Sequence, residues 1–150
     1  MTQKSNSNMK IEPYLFFDGR CGEALEFYKK AIGAEVIMAM RFKDSPQPPQ
    51  QAMPPGYENK IMHATLRIGE SQVMASDGDC HGKQKFDGFS LSLSAANATE
   101  AEKLFKALGE GGQVSMPIGK TFFSPAFGML QDRFGVNWMV IVPSPMPPGK

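Results

Sequence analysis

The fold of this chain is decided by residues 89–109, FSLSLSAANATEAEKLFKALG. The first six residues of this stretch alternate between apolar and polar side chains, which is typical of a half-buried strand. The apolar residues Ala101, Leu104, Phe105 and Leu108 then recur at the spacing of an amphipathic helix, which runs to the glycine that closes the stretch. The sequence therefore predicts a strand followed directly by a helix.

The same order of patterns occurs earlier in the chain. Residues 11–17 are β-prone and aromatic and end at an Asp-Gly turn signal. Residues 21–31 carry apolar side chains at helical spacing, and a glycine follows where a helix C-cap belongs. Pairing Ile11 with Phe89, and Phe27 with Phe105, gives one common offset. We interpret this as an internal repeat.

Three further strands are predicted after each helix. They cover residues 34–42, 60–68 and 71–76 in the first half, and residues 113–115, 127–131 and 136–142 in the second. The proline-containing stretch from Asp44 to Gly56 is predicted to be an exposed loop, because proline lacks the N–H that a strand or helix needs. The chain is therefore predicted to be α+β, with two tandem βαβββ modules.

Length and composition indicate one domain. A chain of 150 residues matches the commonest size of a compact domain, and 41% hydrophobic with 21% charged residues is typical of a globular protein. The predicted organisation is a disordered tail over residues 1–9, a single domain over residues 10–142 with modules 10–78 and 86–142, and a Pro-rich tail over residues 143–150.

The charge balance argues against two classes of partner. Sixteen basic and 15 acidic residues leave a net charge of +1. Nucleic acid and anionic membranes are captured by clustered positive charge, so we expect neither as a partner. The polar N-terminus is followed by no apolar stretch long enough for a signal peptide or a membrane span. We therefore expect a cytoplasmic protein.

Several short motifs resemble those of a known family. They are Pro13-Tyr14-Leu15, Cys21-Gly22-Glu23-Ala24, Ile61-Met62-His63-Ala64, Met74-Ala75-Ser76-Asp77, Thr121-Phe122-Phe123 and the closing stretch DRFGVNWM at residues 132–139. Together they look like the PhnB-like branch of the vicinal-oxygen-chelate superfamily, which includes glyoxalase, bleomycin-resistance and extradiol dioxygenase proteins. The resemblance implies that the two modules form a cupped mixed sheet with the helices outside.

Members of this branch often carry a label resembling demethylubiquinone methyltransferase. A methyl-donor site usually includes a Gly-rich nucleotide-binding turn after a strand, and this sequence shows no such turn. We therefore give the methyltransferase label little weight as a prediction of activity.

The resemblance also implies where a metal would be held. Enzymes of the superfamily bind a divalent metal through His and Glu side chains from four strands. The corresponding positions fall near Glu12, at Met74 to Ser76, at Gly88 or Phe89, and at Trp138 or Met139. Only Glu12 among them suits a hard cation, because thioether, glycine and aromatic side chains offer neither a charged oxygen nor an imidazole nitrogen. We expect no cofactor, and a divalent metal held by Glu12 and His63 is the alternative.

Six side chains are candidates for lining a ligand pocket, since small-molecule sites are mostly apolar with a few polar groups. They are Glu12, Tyr14, Phe16, His63, Phe122 and Trp138. His63 begins an alternating strand, where it would serve as an acid, a base or a ligand near neutral pH. A structural, hydrogen-bonded histidine is the alternative.

Two other features have both a chemical and a structural interpretation. Cys21 lies at the start of the first helix, where the helix dipole would favour a thiolate. The alternative is close packing of a small residue at the helix entrance. Asp77, Asp79, Cys80 and His81 crowd the predicted loop between the modules, either as a metal-binding cluster or as a solvated turn. We expect both cysteines to be reduced thiols.

These observations lead to one functional prediction and two alternatives. We predict a cytoplasmic homodimer that binds a small, partly apolar molecule in a cup formed by its two modules and that has a degenerate metal site. The first alternative is a metal-dependent lyase, isomerase or dioxygenase-like enzyme, since a register error of one residue would change which side chains face the site. The second is a resistance protein that sequesters a toxic compound without converting it.

Overall fold

A computed structural model describes residues 8–46, 55–78 and 85–144. Three predictions concern residues outside these ranges. They are the predictions for most of the N-terminal tail, for most of the proline-containing loop and for the last six residues. The same holds for the predictions that involve Asp79, Cys80 and His81.

The described residues form two βαβββ modules in succession. The first module contains β1 (Tyr14–Phe16), α1 (Cys21–Ile32), β2 (Glu35–Arg41), β3 (Ile61–Ile68) and β4 (Ser71–Ser76). The second contains β5 (Leu91–Ser94), α2 (Ala98–Gly109), β6 (Gln113–Gly119), β7 (Phe127–Gln131) and β8 (Asn137–Ile141). The predicted α+β class with tandem βαβββ modules is confirmed.

Each module contributes one four-stranded mixed sheet. The strand order is β1-β4-β3-β2 in the first sheet and β5-β8-β7-β6 in the second. In both sheets the first strand pairs in parallel with the last strand of its module, and the other pairings are antiparallel. The chain divides into two compact units, Met1–Leu25 with Ala34–Cys80 and Glu26–Gly33 with His81–Lys150. Each sheet therefore lies within one unit, and the second half of α1 belongs to the unit that holds the second sheet.

The two helices confirm the repeat but shift it by one residue. Both helices have 12 residues, and the buried Ala24 and Tyr28 of α1 occupy the same positions as the buried Ala101 and Phe105 of α2. The pairing of Phe27 with Phe105 is therefore wrong by one residue. The reason is a shorter connection between strand and helix in the second module, where the cap of α2 follows β5 closely.

Helix α2 begins three residues before the first apolar residue of its stripe. The side chain of Asn97 accepts a hydrogen bond of 2.8 Å from the Glu100 N–H, and the Glu100 carboxylate accepts one of 2.7 Å from the Ala96 N–H. These bonds satisfy backbone donors that the first turn of a helix leaves without partners. Polar capping therefore extends the helix beyond its apolar face.

Strand β6 is longer than the three residues predicted for it. It continues through Pro117 to Gly119, with irregular register opposite β7. Because β6 lies at the edge of its sheet, the missing N–H of proline need not disrupt a second pairing. The predicted strand therefore stops at Ser115, four residues before the observed end.

Each sheet has one buried face and one partly exposed face. On the first sheet, Leu15, Ala64, Leu66 and Ala75 are all buried, and the strand register places them on one face. On the second sheet the buried face lies against α2, since a Cβ at Gly128 would meet the ring of Phe105. No helix among the described residues is long and apolar enough to cross a membrane.

Candidate functional site

The partly exposed face of the first sheet carries the candidate site. Tyr14 lies opposite Met74, Met74 opposite Thr65, and Thr65 opposite Met38, so these four residues form one row across the four strands. The next row along the strands adds Phe16, His63 and Met40. We call the surface formed by these seven residues the open face: Tyr14, Phe16, Met38, Met40, His63, Thr65 and Met74.

Three hydrogen-bonding side chains, Tyr14, His63 and Thr65, lie next to one another on the open face. The Tyr14 hydroxyl lies 2.9 Å from Nδ1 of His63, and the Thr65 hydroxyl lies 3.5 Å from Nε2 of the same ring. The Tyr14 and His63 ring centroids are 5.5 Å apart. His63 is therefore hydrogen-bonded, as its structural interpretation requires, and it is also partly exposed to solvent.

Apolar side chains surround the hydrogen-bonding groups of Tyr14, His63 and Thr65. Tyr14 stacks on Phe16 with a centroid separation of 4.9 Å, and Met38 is 40% exposed. Met40 and Met74 are each partly exposed on the same face. Methionine side chains adapt their shape to irregular partners. The arrangement is a largely apolar surface with a few oriented polar groups, which is typical of a small-molecule site.

The positions that correspond to the family's metal ligands do not fit a divalent cation. Glu12 is partly buried just ahead of β1, and Ser76 is buried at the end of β4. Phe89 and Trp138 supply no donor for a hard metal. Within residues 8–46, 55–78 and 85–144, no three His, Cys, Asp or Glu side chains are grouped so that they could hold a metal ion.

Two of the six predicted pocket residues lie in the second unit. Trp138 is 3% exposed, on the buried face of the second sheet, where its indole N–H donates a 2.9 Å hydrogen bond to Asp132. Phe122 is 97% exposed in the connection between β6 and β7, with its ring edge-on to Phe123. The structure thus brings Tyr14, Phe16 and His63 together on the open face but places Trp138 in a hydrophobic core.

Four residues of the open face were not predicted as pocket residues, although the sequence contains a pattern that relates them: Met38, Met40, Thr65 and Met74. Thr65 follows His63 by two residues, as Met40 follows Met38, and this is the spacing of side chains on one face of a strand. Strand period alone does not say which strands become neighbours. The pairings of β3 with β2 and with β4 had to be known before Met38 and Met74 were recognised as neighbours of Thr65.

Asp77 has a structural role in the first unit. One carboxylate oxygen of this buried side chain accepts hydrogen bonds of 2.7 and 2.8 Å from the Gly19 and Cys21 N–H groups, and the other accepts one of 3.0 Å from the Ile61 N–H. The negative charge thereby lies at the N-terminus of α1, where the helix dipole stabilises it. Asp77 connects the helix to β3, and this use of its oxygens does not support the metal-binding interpretation.

The thiolate hypothesis for Cys21 is wrong. The side chain is fully buried, and burial together with the nearby negative charge of Asp77 raises the pKa of the thiol to about 12. Both causes disfavour the thiolate more than the helix dipole favours it. Cys21 is instead a small packing residue at the helix entrance, which was the alternative interpretation.

We expect Cys21 to resist alkylation in the folded protein. The thiolate is the reactive form, and a pKa of about 12 leaves almost none of it at pH 8. In a Cys80→Ser background, iodoacetamide should label Cys21 only when denaturant is added, as followed by intact mass. Rapid labelling of the native variant at pH 8 would contradict the assignment.

Comparisons with known proteins are consistent with this geometry. The family model described as 3-demethylubiquinone-9 3-methyltransferase matches residues 9–141. Protein YjdN of Escherichia coli strain K12 is 34% identical over 93% of this chain and 99% of its own length.

Solved structures extend the comparison. The crystal structure of protein PA1353 from Pseudomonas aeruginosa has a TM-score of 0.79 and 42% identity, covering 91% of this chain and 98% of its own. A Bacillus cereus structure named as a PhnB protein has a TM-score of 0.72 and 28% identity, over 89% of this chain and 99% of that one. A glyoxalase-related enzyme from Fulvimarina pelagi, 13% identical with a TM-score of 0.60 over 90% of this chain and 88% of that one, shares the fold. The glyoxalase-like fold is therefore the one that the resemblance to the PhnB-like branch of the vicinal-oxygen-chelate superfamily implies, and the chain belongs to the family described as 3-demethylubiquinone-9 3-methyltransferase.

Proposed function

We propose that this protein binds a small, largely apolar molecule on the open face of its first sheet, and that it does so without a divalent metal. The observation that carries the proposal is the Tyr14–His63 hydrogen bond within a surface of methionine and aromatic side chains. A polar pair of this kind fixes the orientation of a ligand, and the surrounding apolar side chains supply most of its contact area.

The partial exposure of the open face supports this proposal. A ligand that covers Met38, Met40 and Met74 removes apolar surface from water, which stabilises the complex by about 25 cal/mol for each Å² buried. Tyr14 is also 36% exposed, so a ligand can reach its side chain. Isolated exposed apolar residues are ordinary, whereas a contiguous group of them marks a binding surface.

The absence of grouped acidic and histidine side chains among the described residues supports the metal-free part of the proposal. A metal-dependent lyase, isomerase or dioxygenase needs several oxygen or imidazole ligands at its metal. Glu12 and His63 are two candidates, and His63 already uses Nδ1 in its bond with Tyr14. The open face is compatible with a protein that converts its ligand. It is equally compatible with a protein that only sequesters the ligand.

The predicted homodimer stays a prediction. Strands β2 and β6 lie at the edges of their sheets and carry exposed apolar side chains, of which Ile37 is 47% and Val114 52% exposed. Exposed strand edges and apolar side chains are commonly covered by a partner chain.

A ligand screen with two variants tests the proposal. We expect some small apolar compounds to raise the melting temperature of the wild-type protein, because a ligand that binds only the folded state stabilises it. Met38→Lys places a charge on the open face and should abolish this stabilisation. Val114→Lys is the matched control, since Val114 is an exposed apolar residue on another edge strand and packs near Gly109 of α2.

Two results would contradict the proposal. One is a screen in which Met38→Lys and Val114→Lys respond to every stabilising compound as the wild type does. The other is elemental analysis of the purified, untagged protein that finds zinc, nickel, manganese or iron near one per chain, with loss of ligand stabilisation when that metal is removed.

A further inference from the structure

We infer that Tyr14 holds His63 in the tautomer that carries its proton on Nε2, and that this N–H donates a hydrogen bond to an oxygen of the ligand. The ligand class is thereby an apolar molecule with a neutral acceptor oxygen, such as an aromatic ketone. This inference rests on the proposed function and names the chemistry that the same surface recognises.

The direction of the hydrogen bond between Tyr14 and His63 follows from the chemistry of the two groups. The hydroxyl oxygen and Nδ1 are 2.9 Å apart, a normal hydrogen-bond distance. The phenol O–H is a good donor, and the unprotonated nitrogen of a neutral imidazole is a better acceptor than a phenol oxygen. Tyr14 therefore donates and Nδ1 accepts. In a neutral imidazole, the nitrogen that does not accept carries the proton, so the proton is on Nε2.

Nε2 of His63 can still donate a hydrogen bond to a ligand. The Thr65 hydroxyl is 3.5 Å from Nε2, at the outer limit of a hydrogen bond. This contact leaves most of the donor capacity of the N–H for a closer partner. His63 is partly exposed on the open face, so a ligand lying on Met38 and Met74 can present an oxygen to it.

Charged side chains lie on the strands of the first sheet but not on the open face. Arg67 follows Thr65 by two residues on β3, and its guanidinium pairs with the carboxylate of Glu35 on β2. The seven residues of the open face include no Asp, Glu, Lys or Arg. Arg41 at the end of β2 also carries a charge, and its guanidinium donates a hydrogen bond to the Asn59 carbonyl outside the open face. No charged side chain therefore belongs to the open face. A neutral oxygen suits this surface better than a carboxylate, since burying an unpaired charge is costly.

The tautomer is measured without any ligand. Long-range ¹H–¹⁵N spectra of the imidazole rings, assigned with a His63→Gln variant, distinguish Nδ1 and Nε2 at a pH where the ring is neutral. We expect the Nε2–H tautomer of His63 in the wild type, and a rise in the Nδ1–H fraction in Tyr14→Phe. Tyr57→Phe is the matched control, because its phenol bonds to Asp18 and to the Asp77 carbonyl rather than to His63. An unchanged tautomer ratio in Tyr14→Phe would overturn the role of Tyr14.

The ligand class is measured with two probes of nearly the same shape. Acetophenone has a carbonyl where α-methylstyrene has a methylene group, so only acetophenone accepts a hydrogen bond. Titration followed by the methyl signals of Met38 and Met74 should give about two- to tenfold tighter binding of acetophenone to the wild type, the value of one hydrogen bond. His63→Phe should remove this preference while still binding both probes through its apolar surface.

The outcomes separate the two proposals. Equal affinity of the wild type for both probes overturns the inference and leaves binding on the open face intact. A lack of any change at Met38 and Met74 with either probe contradicts both the proposed function and the ligand class. A preference for acetophenone that persists in His63→Phe shows that another group is the donor and overturns the assignment to Nε2.

Discussion

Replacement of Asp132 by alanine is expected to lower the free energy of unfolding by about 3–5 kcal/mol. One oxygen of this buried carboxylate accepts hydrogen bonds of 2.8 and 3.0 Å from the Phe134 and Val136 N–H groups. The other accepts bonds of 2.5 Å from the Tyr28 hydroxyl and 2.9 Å from the Trp138 indole. The variant removes the carboxylate that accepts all four of these hydrogen bonds, and the loss of a buried hydrogen-bond partner costs about 1–3 kcal/mol before water or relaxation offsets part of it.

Urea unfolding monitored by tryptophan fluorescence measures this effect, since Trp138 is the only tryptophan of the chain. Tyr28→Phe removes one donor and keeps the carboxylate, so it should cost about 1–2 kcal/mol. Asp87→Ala removes an exposed carboxylate of the same unit and should change the stability by less than about 0.5 kcal/mol. A loss for Asp132→Ala no greater than that for Asp87→Ala would show that the hydrogen-bond network does not stabilise the second unit.

The second large effect is expected at Gly112, just ahead of β6. A Cβ at this position would lie 2.1 Å from the carbonyl oxygen of Gln131 and 2.9 Å from two backbone atoms of Asp132. These neighbours belong to the backbone where β7 ends, so they cannot move aside as a flexible side chain can. Gly112→Ala should therefore lower the free energy of unfolding by about 3 kcal/mol or more, at the upper end of the cost of overpacking.

Gly119→Ala is the matched control for Gly112→Ala. Gly119 lies at the other end of β6, and a Cβ there would have no heavy atom within 4 Å. This variant should unfold within about 0.5 kcal/mol of the wild type, because a compatible Gly→Ala change also reduces the conformational freedom of the unfolded chain. Equal stability of the two variants in urea would show that the backbone at Gln131 adapts to the added methyl group.

The strands and helices could be predicted from the sequence because their patterns involve residues that are close together along the chain. The predicted limits of β4 and β7, residues 71–76 and 127–131, agree with the structure, and α1 differs by one residue at its end. Larger differences occur where polar or backbone effects oppose the hydrophobic pattern. Capping by Asn97 lengthens α2, and an edge position allows β6 to continue through Pro117.

The candidate site was predictable only in part. Tyr14, Phe16 and His63 were identified as pocket candidates, because aromatic residues and a histidine in strands are typical of small-molecule sites. Met38 and Met74 were not, since nothing in their local sequence separates a methionine in the core from one at a surface. Trp138 was assigned to the pocket for the same reason, and the structure places it beside Asp132 instead.

The sequence by itself determined the order of strands and helices, the repeat, and the family resemblance, because periodicity and turn residues act between neighbours along the chain. Only the tertiary structure decided which residues share a surface. The hydrogen bond between Tyr14 and His63 joins residues from β1 and β3, two strands separated in the sheet by β4. Asp132 acquires its partners from α1 and β8 in the same way. Such contacts depend on strand pairing and burial, and these arise from the packing of the whole unit.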